Sequence, residues 1–476
     1  MQYVRKWVEC MIQFPEEYFK REVQDGHMVG ELIKRAWAAQ LEILAQIDAI
    51  CKKYELTYFA YWGTLLGAVR HNGFIPWDDD MDIAMKREDY NRFLEVAPQE
   101  LPQSYQILSD YTEEEWENTL TRITNGNKVD FDEEKMQEFH NCPFVVGIDL
   151  FPLDYISRNQ EEAEEQKQIL TFLGTLLTVL KERKDAEENG ADIELLQMYN
   201  QEIAESLVTL EHLCGVHFDS NMSISRQLYV LYDQIAALFT EEESDVLTSM
   251  SNYLKSGYIV PKELLQEFTW VPFENTQIRI PNGYDAILRK TYGDYMIPRK
   301  GGSTHGDLCF RGQIEKLAEK LDARAKTNVS EEEEAVFWEQ VQAKVWDGEK
   351  KKKIILVCNS TLETLAHDAD LIQKLREVFR TFAENPEVVL WWRPCRIDAV
   401  EMGMMKKVMP QLIEEYTELI REYQEHPVGV FDPGIGMAKV LEWCDAYYGD
   451  DNKVAKVFQL SGKPVMIADY TIHEND

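Results

Sequence analysis

The sequence predicts an α/β (α+β) protein in two parts, and three observations carry that expectation. Aromatic and β-branched runs alternate with amphipathic stretches near the start, a leucine-striped helical section interrupts them, and five short apolar runs alternate with helices after residue 350. Alternation of the last kind predicts a parallel sheet with helices on both faces. A chain of 476 residues, 45% hydrophobic and 11% aromatic, can build sizeable cores, and its length suits about two to four domains.

In chain order, MVGELIKRAWAAQLEILAQIDAICKK (28–53) places Leu32, Ala36, Leu41, Leu44 and Ile47 at helical spacing. LTYFAYW then reads as a strand that ends in a tight turn at Gly63, TLLGAVR as a short helix, and FIPW as the lead into a second strand running from Trp77 to Met85. PFVVGIDLFPLD (143–154) reads as a buried strand, with Asp154 a turn residue at its end. From Asn159, which stands with Glu162 at capping-box spacing, the texture turns helical: Ile169, Phe172, Leu173, Leu176, Leu177 and Leu180 keep helical period until Gly190, and further helices follow near 192–213 and 223–239. This is read as a helical insertion of about 159–250. VSEEEE and DGEKKKK mark a linker over 323–349, so domains are expected at 1–322 and 350–476, and a fragment ending near Asp322 is expected to fold alone. In the second domain the strands are IILVC, VVLWW, VGVF, AYY and VMI.

Charge and cysteines narrow the function. A formal net charge of −35 argues against nucleic-acid partners, whose phosphates are gripped by Lys and Arg, and against anionic membrane surfaces. The eight cysteines are scattered with no CxxC, which fits reduced thiols in the cytoplasm. The opening residues lack a signal peptide's continuous apolar core. The most apolar stretch, ILTFLGTLLTVL (169–180), falls short of the roughly 20 residues of a membrane span. A cytoplasmic protein without a transmembrane segment is expected.

The chemistry gathers in WDDDMD, where Asp78, Asp79, Asp80 and Asp82 fall within five positions. An acidic run is usually a solvated face. On a strand, however, Asp78, Asp80 and Asp82 would share one face while Asp79 and Met81 took the other. Two such charges about 4 Å apart repel by about 4 kcal/mol at an effective dielectric of 20. A cation would relieve the cluster, and oxygen-only ligands favour Mg²⁺ or Mn²⁺. Asp149 is the ionisable group in an otherwise apolar run; buried, it needs a partner, and it is expected to complete the metal site or to accept a proton from an attacking hydroxyl. Gly63 and Thr64 form a glycine turn feeding a helix, whose exposed N–H groups suit phosphate. Cations are expected to face the acids across a substrate: Arg70, and Arg299, Lys300 and His305 in the glycine-rich MIPRKGGSTHG.

A glycine turn, paired acids on one strand and a third acid on the next resemble the layout of polymerase-β-type nucleotidyltransferases. The resemblance becomes more specific over YFAYWGTLLGAVRHNGFIPWDDDMDIAMKREDYNRF, FVVGIDLFPLD and YDAILRKTYGDYMIPRK. These blocks are similar to the LicD family, which includes phosphorylcholine transferases and, more distantly, fukutin-related proteins, over roughly residues 30–310. The resemblance implies a nucleotidyltransferase (polymerase-β-like) fold, Mg²⁺, and transfer of a phospho-alcohol from a CDP-alcohol, CDP-choline foremost, to a glycan or lipid-linked glycan such as a lipopolysaccharide or teichoic-acid-type precursor. It makes Asp80 and Asp82 metal ligands, with Asp78 an additional one, gives Asp149 the third acidic role, and puts Arg122, in TLTRITNGNK, where the family often has a basic residue that would face the acids. The alternatives are a nucleotidyltransferase adding NMP to a sugar phosphate or hydroxyl, and a non-catalytic nucleotide- or glycan-binding protein. WCDAYYGDDNKVAKVFQLSGKPVMI (443–467) resembles the last strand-helix-strand of GT-B transferases, including the CDP-glycerol glycerophosphotransferases, and implies a Rossmann-like second domain. Its turn carries Asp450 and Asp451, which would repel an anion, and LWWRPC lacks the histidine of an Arg-x-His-Pro turn. A binding or scaffolding role is therefore favoured there.

Overall fold

The computed structural model describes residues 11–113, 116–299, 311–324, 329–395, 399–426 and 429–470. It is a mixed α/β structure of two compact units, one comprising Met1–Phe14, Ala36–Lys128 and Val145–His305, the other Pro15–Arg35, Val129–Phe144 and Gly306–Asp476. Two segments from the first third of the chain thus belong with the carboxy-terminal residues.

The first unit is built on a seven-stranded mixed sheet. Its path runs Tyr58–Ala60, Met81–Lys86, Gly147–Ser157, Thr121–Thr124, Gln106–Leu108. The strand Met81–Lys86 lies parallel to Gly147–Ser157 and antiparallel to Tyr58–Ala60. The far half of Gly147–Ser157 pairs with Ser244–Thr248, which in turn pairs with Val260–Pro261. Hydrophobic side chains such as Phe59, Ile83, Met85, Ile148 and Leu150 are fully buried at its centre. A hairpin, Phe268–Phe273 with Thr276–Pro281, stacks Phe268 on Phe59 with ring centres 5.0 Å apart. The leucine-striped section forms three helices, Gln160–Glu188, Ile193–Cys214 and Ile224–Ala236, whose own core holds Leu170, Leu173, Leu176, Leu210, Leu228 and Leu231.

Three local expectations need correction. The acidic strand begins at Met81, four residues later than expected from the sequence, because Pro76 and the turn around it hold the chain out of the sheet. Asp78 and Asp80 therefore precede the strand. Asp154 is no turn residue: it lies inside Gly147–Ser157, 1% exposed, and accepts from Arg87 Nε at 2.5 Å, while Arg87 also reaches Asp233 at 2.8 Å. Finally, Asn159 does cap its helix, accepting from the Glu161 N–H at 3.0 Å, but Glu162 accepts from the Ser157 hydroxyl instead of closing a capping box.

In the second unit five strands pair in parallel, in the order Gly429–Phe431, Val388–Arg393, Lys353–Cys358, Ala446–Gly449, Val465–Ile467. They match the five apolar runs. Residues 15–35 join this unit through buried polar contacts. Glu31 accepts from the Gln411 and Leu412 N–H groups at 3.0 and 3.2 Å, capping helix Pro410–Gln424, and Arg21 pairs with Asp368 and Glu415. Among the described residues no helix is long and apolar enough to cross a membrane.

Candidate active site

The site grows out of the helix Trp62–Arg70 and the loop that follows it. Tyr61 donates its N–H to the Asp82 carbonyl at 3.0 Å, and Thr64 Oγ1 accepts from the Asp82 N–H at 2.8 Å. The first turn of the helix thus holds the start of the acidic strand by both backbone groups of Asp82. Gly63 lies against the other acid: a Cβ there would stand 2.7 Å from Asp78 Oδ2. Gly67 serves the loop, since its own Cβ would meet the Gly73 carbonyl oxygen at 2.4 Å. These close approaches are why the block WGTLLGAVRHNG needs glycine at those places.

The acidic loop is pinned from behind by the helix Glu31–Tyr54. Trp37 Nε1 donates to the Asp78 carbonyl at 2.9 Å, and the buried Gln40 side chain donates to the Asp79 carbonyl at 2.8 Å. Trp37 also stacks flat on Phe74, 4.9 Å between ring centres. The hairpin turn secures the preceding loop, with Glu274 accepting from the Phe74 N–H at 3.0 Å. Trp37, Gln40 and Glu274 were not among the expected site residues. Only a polar residue on the buried face of the helix, Gln40, could have pointed to one of them.

Asp78, Asp79 and Asp80 each offer one carboxylate oxygen within 4.8 Å of the others. Asp79 belongs to this group because the chain there is loop, so the alternation expected of a strand does not apply. Asp82 and Asp149 are direct neighbours across the parallel pair, and Arg122 is the neighbour of Asp149 on the other side. Arg122 grips Asp149 with both arms, Nε to Oδ1 at 2.5 Å and Nη2 to Oδ2 at 2.7 Å.

The electrostatics show how tightly the acids converge. Burial first, then the charge of Asp80 and a hydrogen bond to it, push the Asp78 carboxyl up to about 8. Burial, followed by the charges of Asp80, Asp149 and Asp78, raises the Asp82 carboxyl well above its usual range, with Arg122 opposing. So Asp78, Asp79, Asp80, Asp82, Asp149 and Arg122 form one electrostatic cluster of desolvated groups. The donor set is all carboxylate oxygen, which suits a hard divalent ion; Asp78, Asp79 and Asp80 are the residues whose oxygens come together to hold one, and Asp82 adds its charge beside them.

The remaining expected residues are placed as follows. Arg70 donates to the Tyr295 carbonyl at 2.8 Å, tying its helix to the closing sequence block. Thr64 is buried and bonded to the acidic strand. Arg299 is exposed, and Lys300 and His305 lie outside the described residues. In the second unit Asp450 is buried and accepts from the Ser360 N–H and the Tyr470 hydroxyl, and Arg393 is spent on Asp432 at 2.7 Å.

An aromatic group borders the acids. The Trp62 ring lies 4.7 Å from that of Tyr61 and 5.1 Å from that of Tyr258. Burial and then the charges of Asp82 and Asp78 raise the Tyr292 phenol. None of these residues was singled out from the sequence, where Tyr61 and Trp62 fall in an expected strand and Tyr292 in the closing block similar to the LicD family.

Comparison with known proteins singles out the same part of the chain. The LicD/FKTN/FKRP nucleotidyltransferase-domain family model matches residues 55–169, a span that contains every acid of the cluster. The chain is 28% identical over 260 residues to the lipopolysaccharide cholinephosphotransferase LicD of Haemophilus influenzae, covering 54% of this chain and 88% of that protein. An uncharacterized protein of Rickettsia typhi is 39% identical over 122 residues, 25% of this chain and 35% of its own length. Another, from Rickettsia prowazekii, is 40% identical over 58 residues, 12% of this chain and 22% of its own length. The resemblance to the LicD family is thereby shown, carried by residues 55–169 in the family model and by about half of the chain in the alignment with the Haemophilus protein.

Proposed function

We propose that the chain is a metal-dependent, LicD-type phosphotransferase that moves phosphocholine from CDP-choline to a sugar of a cell-surface glycan or lipid-linked precursor, acting in the cytoplasm. The observation that carries this reading is the gathering of the Asp78, Asp79 and Asp80 carboxylates within 4.8 Å of one another, beside the paired Asp82 and Asp149 and a glycine that leaves room for Asp78. Similarity to a protein named as a lipopolysaccharide cholinephosphotransferase supports the transferase class and the choline.

A bound Mg²⁺ would supply neutralising charge for the donor's pyrophosphate. The chain's own residues do the positioning. Thr64 and Tyr61 fix the Asp82 backbone, Trp37 and Gln40 fix the Asp78–Asp79 loop, and the Arg122 fork fixes the orientation of Asp149. The acceptor hydroxyl attacks the phosphorus that bears choline, forming the new O–P bond as the bridging P–O bond breaks and CMP departs. Asp149 would accept the hydroxyl proton, a role supported by its position beside Asp82 on the neighbouring strand. Phosphoryl transfer of this kind depends on positioning and charge more than on covalent catalysis.

The test is CMP release from a panel of CDP-alcohols with Mg²⁺ and a glycan acceptor. Asp80→Asn and Asp82→Asn are expected to abolish turnover while the fold persists, and near-normal rates in both would refute the metal assignment. Asp149→Asn should lower turnover by about 10²–10⁴-fold, the usual scale of general base catalysis, with little change in donor affinity. Release of pyrophosphate from an NTP, with no CMP from any CDP-alcohol, would instead indicate nucleotidyl transfer.

A further inference from the structure

Beside the carboxylates the first unit presents aromatic rings that its core does not absorb. Trp62 and Tyr258 are half-buried and Tyr292 is 37% exposed, so all three reach the surface next to the acids. Trp62 leans over Tyr258 with an interplanar angle of 42° and over Tyr61 at 54°, tilts that splay the ring faces instead of stacking them. Trp62 keeps this position with φ at +40°, a backbone conformation rare for a bulky side chain.

Two further observations point to a ligand. The Tyr61 hydroxyl is buried and has no hydrogen-bond partner among the described residues, although Tyr258, Asp82 and Tyr292 are the groups whose charges act on it. A buried hydroxyl of that kind ordinarily finds a partner. In addition, one face of the Tyr258 ring already takes a cation, with Lys290 Nζ 5.5 Å from its centre. The rings are therefore an electron-rich wall beside carboxylates, which suits a cation without N–H groups, while the Tyr61 hydroxyl is left to a phosphate oxygen of the same ligand.

We infer that Trp62, Tyr258 and Tyr292 form the receptor for the quaternary ammonium of the transferred alcohol, and so select a trimethylammonium head over neutral polyols and primary amines. This rests on the phosphotransferase reading above. A quaternary ammonium has no N–H to donate, and aromatic faces attract it through the ring quadrupole. Ethanolamine, which carries N–H donors, would lose their hydration on these faces without replacement. The short tether between the phosphate and the ammonium of phosphocholine keeps the head close to the acids that would hold the pyrophosphate.

The experiment measures binding of CDP-choline, CDP-ethanolamine, CDP-ribitol, CMP and the uncharged CDP-3,3-dimethylbutanol, with Mg²⁺, to the full chain and to Trp62→Leu, Tyr258→Leu and Tyr292→Leu. Tyr292→Leu, at the most exposed position, keeps the test valid if Trp62→Leu fails to fold. The wild type should prefer CDP-choline to its uncharged isostere. In the variants CDP-choline affinity should fall about 3- to 30-fold, with CMP affinity changed less than about twofold. Equal losses for CMP and CDP-choline would overturn the inference by making the wall a base-stacking surface. Tighter binding of CDP-ribitol than of CDP-choline would also overturn it, leaving the CDP-alcohol donor class intact. Failure of every CDP-alcohol and of CMP to bind would overturn the donor reading and this inference with it.

Discussion

Gly63 shows how much a single position can carry. Its missing side chain leaves the space that Asp78 Oδ2 occupies, and any Cβ would push that carboxylate aside. Gly63→Ala is expected to cut CMP release from CDP-choline at least about tenfold, the effect of a small misplacement in a positioned site, while the melting temperature moves little. Full activity would show that Asp78 can shift freely. Asp78 itself predicts a pH profile. Its carboxyl sits at about 8 in the folded chain against an ordinary 3.8, so the folded state binds the extra proton between those values. Stability that is complete below about pH 4 is then lost as the pH rises toward 8. In EDTA the melting temperature should fall between about pH 5 and pH 8, less so with Mg²⁺ or in Asp78→Asn; a Mg²⁺-independent profile in the wild type would contradict the site. At this scale the sequence was informative wherever polarity clashed with its surroundings. Asp149 stood out in FVVGIDLF for that reason, and Arg122 only through the resemblance to the LicD family. Trp37 passed unnoticed because its role is a hydrogen bond to a carbonyl, which leaves no mark on helical periodicity.

Among the elements, the strand Gly147–Ser157 does two jobs. Its first half brings Asp149 beside Asp82, and its second half buries Asp154 against Arg87, which opens the helix Arg87–Glu100. Burial acts against the Arg87 charge, but Asp154 and Asp233 more than compensate and hold it firmly protonated. Removing one member leaves an uncompensated buried charge. Arg87→Met is therefore expected to cost about 3–5 kcal/mol in urea unfolding, and adding Asp154→Leu should restore part of it. An Arg87→Met variant within about 0.5 kcal/mol of wild type would mean that water reaches the pair. Helices and buried strands were legible because periodicity and apolar runs report burial directly. The start of the acidic strand was not: Asp78 and Asp80 fit strand alternation on paper, and only the turn at Pro76–Trp77 keeps them out of the sheet.

For the whole molecule, the division into units follows contacts between residues far apart in sequence. Arg21, Glu31 and Arg35 find their partners at Asp368, Glu415, Gln411, Leu412 and Val408. Glu31 is 1% exposed, and burial raises its carboxyl despite the two N–H groups that it accepts. A fragment ending at Asp322 would strip Arg21 and Glu31 of these partners and leave Arg35 with the His140 carbonyl, so it is expected to aggregate or to melt non-cooperatively by calorimetry. A soluble fragment with one sharp transition would show that 1–322 is self-sufficient. Composition and linker-like charge runs could not reveal this, because a capping contact across hundreds of residues has no local signature. The same contact sets a schedule for biosynthesis. Glu31 and the helix end that it caps are 380 residues apart, and ribosomes add about 5–20 residues per second, so the carboxylate emerges roughly 20–80 s before its partner exists. During that interval the segment around Glu31 is an unfinished surface on the nascent chain, and the second unit can close only once the helix that begins at Pro410 has been made.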